Sequence, residues 1–538
     1  MSEYRIGRRL QIFSDSGALL MVCCGVLTRI ASAVFIVAAL VAGSWQRADS
    51  SQLPEPYLVV IVMDGFRADY QTLAPMHHLR ALMARGTSYD NAWVGQLESE
   101  TPTGHATIAT GVYPRTHGII GFGWRDRATG VFTYAPTDLK AVGQGYITHT
   151  MEQAGVPTLS DMVHRQNPHD LAISLSGEKL WASAPLGAGA DYLFYGREQP
   201  KKGRQKIFRP VVVGPNMPPP STHYFEAAAI DSSFDYQDGF AARLAVRMTR
   251  TLHPRALLVN LPAPDIAGHY YGANSNPTAL GNTLRGTDNA IGQIVNEYKR
   301  EGLLQRTVFV VTADHGMVLG RQRVPIHPIY DAVRASGVNE QDEELRTSMG
   351  SIWLHDPEHA ASLATTLAAK HFAGVEGALY KVPDGANGWR FQPDASTAAR
   401  LPANVLRAYL ALADTEASPS GPELLLPYSE DTDGLPKTHK FHGMHGGFSW
   451  NAQHILLVLA GPGMKHGVSH FPAQLVDIAP TIERLMGWQV PKGVDGVVLT
   501  DGLMTSSATQ RASQAAVRDR RMQDVNALRQ HSGKEAGH

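Results

Sequence analysis

Apolar runs of strand length recur along this chain, and each ends on residues of a different kind. Tyr57–Met63 is unbroken and apolar, and Asp64-Gly65 stops it. Ala256–Leu261 runs into PAPD, and Val308–Val311 runs into TADHG. Runs without polar alternation predict strands covered on both faces, as in parallel sheets. His454–Ala460, followed by Gly-Pro-Gly, predicts another strand. Thr287–Arg300 and Asp477–Met486 carry helical patterns. Thr101-Pro102 opens a further helix, with Thr as N-cap and Pro at the first helical position, and Gly111 can end it. The pattern predicts an α/β fold, a mostly parallel sheet flanked by helices, whose polar residues gather at the C-terminal ends of the strands, where such sheets place ligand sites.

Two regions break this rhythm. Residues 125–250 mix aromatic, Pro and Gly segments without clear alternation, and 335–440 hold one helical stretch, Glu358–Lys370, among Pro- and Gly-rich loops. Both read as cap-type insertions over the sheet edge. Residues 49–500 then form the catalytic unit, opening on a polar linker at 49–56, and 501–538 form a polar tail, a solvated helix or a disordered end. At 538 residues, length alone suggests about two to four domains. There is no internal repeat.

Composition narrows the class. With 43% hydrophobic residues, 18% charged residues and a net charge of −1, the chain is globular and lacks the basic surplus of a nucleic-acid binder. The counts of Gly (51) and Pro (33) predict many loops. Both cysteines, Cys23 and Cys24, lie near the N-terminus, so the folded body has no disulfide, thiolate zinc site or cysteine nucleophile. Residues 1–48 pair a basic start with an apolar stretch at 17–43. Ile30–Gly43 has the length of a signal-peptide core, with initiation at Met21 and a cut near Ala48 as one arrangement. An uncleaved inner-membrane anchor through 17–43 is the other. Either reading predicts a periplasmic or extracellular protein.

The polar residues ending the apolar runs suit divalent metals. Asp64, Asp265 and Asp314 supply carboxylates, and His269, His315 and His445 supply imidazoles, the oxygen and nitrogen donors that zinc takes. Asp265 and His269 stand four apart, on one face of a helical turn. Asp314 and His315 sit at a strand end, and His445 lies in GMHGG, where glycines allow close approach. A lone Asp-Gly after a strand is usually a turn, and a lone D-x3-H is more often structural. An ordered set rarely arises by chance. Phosphate esters need such a set, because the electrophile repels nucleophiles and the leaving oxygen gains charge. Two cations about 4 Å apart address both ends. Thr101 is the candidate nucleophile: at a helix N-terminus its oxygen meets bound phosphate, and a metal would lower its pKa. Thr103 and Ser99 are alternatives. A capping role is the plain alternative for Thr101.

The segments VVIVMDGFRADY (59–70), TPTGHATIATGVYPRTHGIIG (101–121), PDIAGHYYG (264–272), TADHGM (312–317) and MHGGFSWNAQHILLVLAGPGMKHG (444–467) resemble the alkaline phosphatase superfamily, type I phosphodiesterase/nucleotide pyrophosphatase branch. The resemblance covers the catalytic core and implies an alkaline phosphatase-like three-layer sandwich with two Zn2+. It implies that Asp64, Thr101, Asp314 and His315 surround one metal, and that Asp265, His269 and His445 hold the other. It also implies a phospho-threonine intermediate and retention at phosphorus, with a small phosphorylated substrate.

Two departures bear on substrate. Phe122 stands where relatives often carry an Asn that donates to a phosphoryl oxygen. Lys179 has no Arg two residues later, unlike the Lys-x-Arg pair of monoesterase relatives. Arg67, Arg125 and Lys179 are either replacements or surface charges, and Phe122 and Trp124 are either pocket wall or core. His105 and His117 read as structural. Monoester specificity is thus unsupported, and diester specificity lacks its usual Asn; the expectation is a hydrolase of phosphodiester or pyrophosphate bonds. A phosphomonoesterase on the same scaffold and a catalytically silent binding protein are the rivals. No Cys/Ser-x-Pro-x-Arg segment supports a sulfatase.

Overall fold

Each apolar run becomes a strand of one large sheet. The structure is a computed structural model and describes residues 55–538, apart from 126–128, 130, 136–144, 201–205, 214–226, 230–234, 273–276, 339–342, 347–349, 355, 387, 435–440 and 534–538. The signal-or-anchor expectation and both cysteines fall outside the described residues. Among the described residues, no helix is long and apolar enough to cross a membrane.

The main sheet has ten strands: β1 (Tyr57–Met63), β2 (Gly86–Tyr89), β3 (Ala172–Ser176), β4 (Tyr192–Pro200), β5 (Lys206–Val213), β6 (Ala227–Ala229), β7 (Ala256–Leu261), β8 (Thr307–Thr312), β9 (Leu457–Ala460) and β10 (Gly467–Ser469). Their spatial order is β10-β2-β9-β8-β1-β7-β3-β4-β5-β6. The centre, β8-β1-β7-β3-β4, is parallel throughout. β1, β7 and β8 are buried almost along their whole lengths, which explains their unbroken apolar sequences. The helices used below are α1 (Thr101–Thr110), α2 (Asp235–Leu252), α3 (Ala263–Tyr271), α4 (Pro277–Arg300) and α5 (Ala508–His531). α4 begins ten residues before the expected Thr287, because two glycines and a proline at 277–286 mask its helical pattern.

Register decides which residues meet. Val62 pairs with both Thr312 and Asn260, so β1, β7 and β8 end at one level. Asp64, Asp265 and Asp314 therefore leave the sheet at the same edge. β9 runs antiparallel to β8, with Leu457 opposite Thr312, so the segment before it enters from that edge too. That direction brings His445 in.

The first insertion corrects the sequence reading. Residues 125–250 are not a cap alone, since β3 and β4 continue the main sheet. β3 escaped notice because its sequence, AISLS, is interrupted by Ser174 and Ser176. Both are buried, and their hydroxyls donate to Ser183 O (2.8 Å) and Asn260 Oδ1 (2.7 Å). The second insertion does build a separate element. Glu343–Arg346, Ser351–Leu354, Leu379–Asp384, Gly388–Pro393 and Leu424–Leu425 form an antiparallel sheet over its own apolar cluster. Residues 56–538 nevertheless make one compact unit, not the several that length suggested.

The C-terminal tail is a helix over 508–531, largely exposed in its first half but docked in its second rather than solvated throughout. It forms α5, capped by a reciprocal Ser507/Gln510 box, and buries Val525, Ala527 and Leu528 against Ala403–Ala413. Hydropathy missed this docking because much of it is polar. Arg521 Nη1 donates to Asp477 Oδ2 at 2.6 Å and Nη2 to Oδ1 at 3.2 Å, with both side chains buried.

Two outcomes follow from this packing. Arg521→Ala leaves Asp477 buried without its cation and is expected to cost about 3 kcal/mol in urea unfolding. Glu483 is buried with one carboxylate oxygen unpartnered, and burial pushes its pKa up to about 8, against a smaller lowering by Arg165. Its neutral form is favoured in the fold, so stability falls as pH rises from the unfolded carboxyl range toward 8. Glu483→Gln is expected to add about 1–3 kcal/mol at pH 8.5 and little at pH 4, read from thermal midpoints at both values.

Candidate metal centre

The C-terminal edge of the sheet gathers the polar residues through tight turns. Gly65 follows Asp64 with φ +66°, and a Cβ there would lie 2.8 Å from Asp265 Cα. Only glycine fits this close approach of β1 to α3. The Gly65 N–H donates to Asp314 Oδ1 at 3.1 Å, tying the β1 and β8 ends together.

Two trios result. Asp64, Asp314 and His315 form one, and Asp265, His269 and His445 form the other. Within each trio the three donor atoms lie within 4.8 Å of one another. His315 Nε2 is 3.5 Å from Asp64 Oδ1 and 3.4 Å from Asp314 Oδ2. His269 Nε2 and His445 Nε2 lie 3.3 and 3.7 Å from Asp265 Oδ1. The His315 and His445 rings stack at 3.7 Å, placing the trios side by side.

All three imidazoles are oriented alike. His269 Nδ1 lies 2.8 Å from Gly443 O, His315 Nδ1 2.9 Å from Gly316 O and His445 Nδ1 3.1 Å from Ser99 O. A carbonyl only accepts, so each Nδ1 carries the proton and Nε2 faces the carboxylates, as metal-ligating histidines are held. Among the described residues, Asp265 Oδ1 and Asp314 Oδ2 are buried and accept no hydrogen bond. Orphaned carboxylate oxygens beside turned-in imidazoles are what a divalent cation needs, so both trios fit one each.

Thr101 stands over the first trio. Its Oγ1 is 3.4 Å from both Asp64 Oδ1 and His315 Nε2. One detail differs from expectation: Glu100 occupies the N-cap, and Thr101 is the first residue of α1, with its hydroxyl free of capping. The oxygen still lies at the positive end of the helix. Thr103 Oγ1 instead accepts from the Gly121 N–H, and Ser99 contributes its carbonyl to His445.

Lys179 overturns the surface-charge reading. It follows β3 by three residues, is 5% exposed, and its Nζ donates to Asp64 Oδ1 (2.8 Å) and Asp265 Oδ2 (2.6 Å). It bridges the trios. Burial works against its charge, but Asp265, Asp64 and Asp314 raise its pKa. Burial likewise opposes ionisation of Asp64, yet Lys179 brings that carboxyl down to about 2. Burial lowers His315 less than the neighbouring carboxylates, Asp314 first, raise it, to about 9. Lys179 and His315 thus set positive charge among the three carboxylates.

Arg67 and Arg125 are not surface charges either. Both are buried, and Arg67 pairs with Asp69 (2.6 Å) and donates to Met317 O (3.2 Å). Trp124 is buried and stacks on Tyr146, so it belongs to the core. Phe122 stays half-buried, its ring centroid 6.4 Å from that of His445 and 6.2 Å from that of Tyr134. His105 and His117 are buried; His105 Nδ1 lies 2.7 Å from Thr101 O, and His117 Nε2 3.0 Å from Thr107 Oγ1.

Sequence reasoning missed Asn260. Its Nδ2 donates to Asp64 Oδ2 at 2.8 Å and lies 3.1 Å from His105 Nε2. The signal was present: one amide in the otherwise apolar strand ALLVNL. Phe441, stacked on His269 with centroids 4.6 Å apart, had no such signal.

The arrangement has relatives. Over 547 aligned residues the chain is 23% identical to alkaline phosphatase PafA of Elizabethkingia meningoseptica, covering 86% of this chain and 97% of that one. It is 24% identical over 291 residues to bis(5'-adenosyl)-triphosphatase enpp4 of Xenopus laevis, covering 53% and 52%. The chain spans about half the length of the first curated relatives it matches. Among solved structures, a PafA variant superposes with TM-score 0.63 at 16% identity, covering 84% of this chain and all of that one. An inactive murine ectonucleotide pyrophosphatase/phosphodiesterase 5 in complex with AMP gives 0.55 at 15%, covering 82% and 98%. Both confirm the alkaline phosphatase-like sheet architecture. The family described as type I phosphodiesterase / nucleotide pyrophosphatase matches residues 58–448, and this chain belongs to it.

Proposed function

We propose that the protein is an exported, two-zinc hydrolase of phosphodiester or pyrophosphate bonds that works through phospho-Thr101. One observation carries the reading: two Asp/His trios lie side by side, and the Thr101 hydroxyl, at the start of α1, stands over one of them. Asp64, Asp314 and His315 would hold one cation and Asp265, His269 and His445 the other. Bound there, the cations lower the hydroxyl pKa and offset charge on the phosphoryl and leaving oxygens.

The chain's own groups do the positioning. Thr101 Oγ bonds to phosphorus as the leaving oxygen departs, and its proton goes to solvent. Water entering from the Asp265 side then breaks the phospho-threonine bond, and two inversions give retention. Asn260 fixes the Asp64 carboxylate through its 2.8 Å hydrogen bond, so the oxygen facing Thr101 keeps its direction. Lys179 supplies one positive charge between the trios. Phe122 offers an apolar face beside His445 rather than a donor. With one fewer cation than a Lys-x-Arg pair, the pocket lacks the charge that a dianionic monoester calls for, while Phe122 also removes the amide that diester relatives often carry. AMP in the murine relative makes a small nucleotide ester a reasonable substrate class. Export rests on the apolar stretch at 17–43. Phosphomonoester hydrolysis is the second reading, favoured by the alignment with alkaline phosphatase PafA along most of both chains.

Thr101→Ala is expected to lower kcat at least ~10³-fold on bis-nitrophenyl phosphate while leaving metal content unchanged. Full activity in that variant would remove the threonine from its role. Comparing kcat/KM for the nitrophenyl diester and monoester separates the two readings. Elemental analysis is expected to find two divalent metals per chain, and His269→Ala is expected to lose one of them while keeping the other.

A further inference from the structure

A second charged feature lies away from the metal centre. α2 and α4 pack side by side and leave between them a groove of about 690 Å³. Arg243, Arg247 and Arg250 line one wall, and Gln293, Asn296 and Arg300 line the other. The spacing on α2 is i, i+4, i+7, which puts its three guanidiniums on one stripe. Like charges four apart on a helix repel, so the stripe costs stability unless something offsets it.

The protein offsets only part of it. Arg250 clamps Glu297 through two hydrogen bonds, 2.7 and 2.8 Å, and Arg300 bonds Glu297 and Glu301. Burial opposes ionisation of Glu297, but the two arginines hold its carboxyl down to about 2, so that charge is spent. Among the described residues the Arg243 and Arg247 guanidiniums make no ion pair or hydrogen bond, and Arg247 Nε is buried without an acceptor. Four guanidiniums thus face two carboxylates, and the surplus sits on Arg243 and Arg247. Guanidinium forks match phosphate oxygens two at a time, and the Gln293 and Asn296 amides add donors. The volume suits a small molecule.

Position separates this groove from the reaction. α2 leads into β7 and α4 into β8, so Arg250 and Arg300 lie toward the edge where those strands begin. The metal trios lie where the same strands end. A six-residue strand spans about 20 Å.

We propose that the α2/α4 groove is a second binding site, for a small anion carrying two or more phosphate-type groups. The probe is methylenediphosphonate, a diphosphate that cannot be hydrolysed at its bridge, titrated calorimetrically into the metal-loaded full chain. Arg243→Gln/Arg247→Gln is expected to bind one equivalent fewer than the wild type, with unchanged nitrophenyl ester turnover. Arg243→Lys/Arg247→Lys is expected to regain that equivalent at roughly tenfold weaker affinity. Equal stoichiometry in wild type and Gln variant overturns the proposal. Cardiolipin vesicles, whose headgroup carries two phosphates, identify a lipid headgroup as its source if they compete for the equivalent. Failure to compete identifies a soluble phosphate compound.

Discussion

Three carboxylates buried within a few ångström of one another are the constraint around which this protein is organised. Asp64, Asp265 and Asp314 are each at most 3% exposed. Buried like charges do not coexist without cations close by. Lys179 and His315 answer that need in the metal-free chain. The same arrangement readies the centre for divalent ions, because among the described residues it leaves Asp265 Oδ1 and Asp314 Oδ2 without a hydrogen-bond donor. The histidines are fixed from behind by backbone carbonyls, so their orientation does not depend on the ion.

The sheet makes this crowding possible at small conformational cost. Parallel strands in register deliver their C-terminal ends to one line, and short turns do the rest. The antiparallel β9 adds a residue from far along the chain to the same edge. Packing on both faces of β1, β7 and β8 keeps the edge rigid, so donor positions are set by the core rather than by loops.

Much of this was legible beforehand, and the reasons are specific. β1, β7 and β8 announce themselves because double-sided burial removes polar alternation, and a carboxylate directly after such a run stands out. All seven residues singled out in sequence meet at the edge. Most of what stayed hidden shares one cause: polar groups buried through hydrogen bonds look like surface in a hydropathy pattern. Ser174 and Ser176 disguised β3, and with it the position of Lys179. Arg521, buried against Asp477, disguised the docking of α5. Phe441 was invisible because ring stacking follows from tertiary approach rather than from spacing.

The antiparallel course of β9 also sets an order of assembly. One trio is whole once residue 315 is in place, whereas the other waits for His445, about 130 residues further on. A chain emerging from its N-terminus thus completes half of its centre early. The second half closes only after the intervening five-stranded sheet has been made, so the pair of trios matures in two stages.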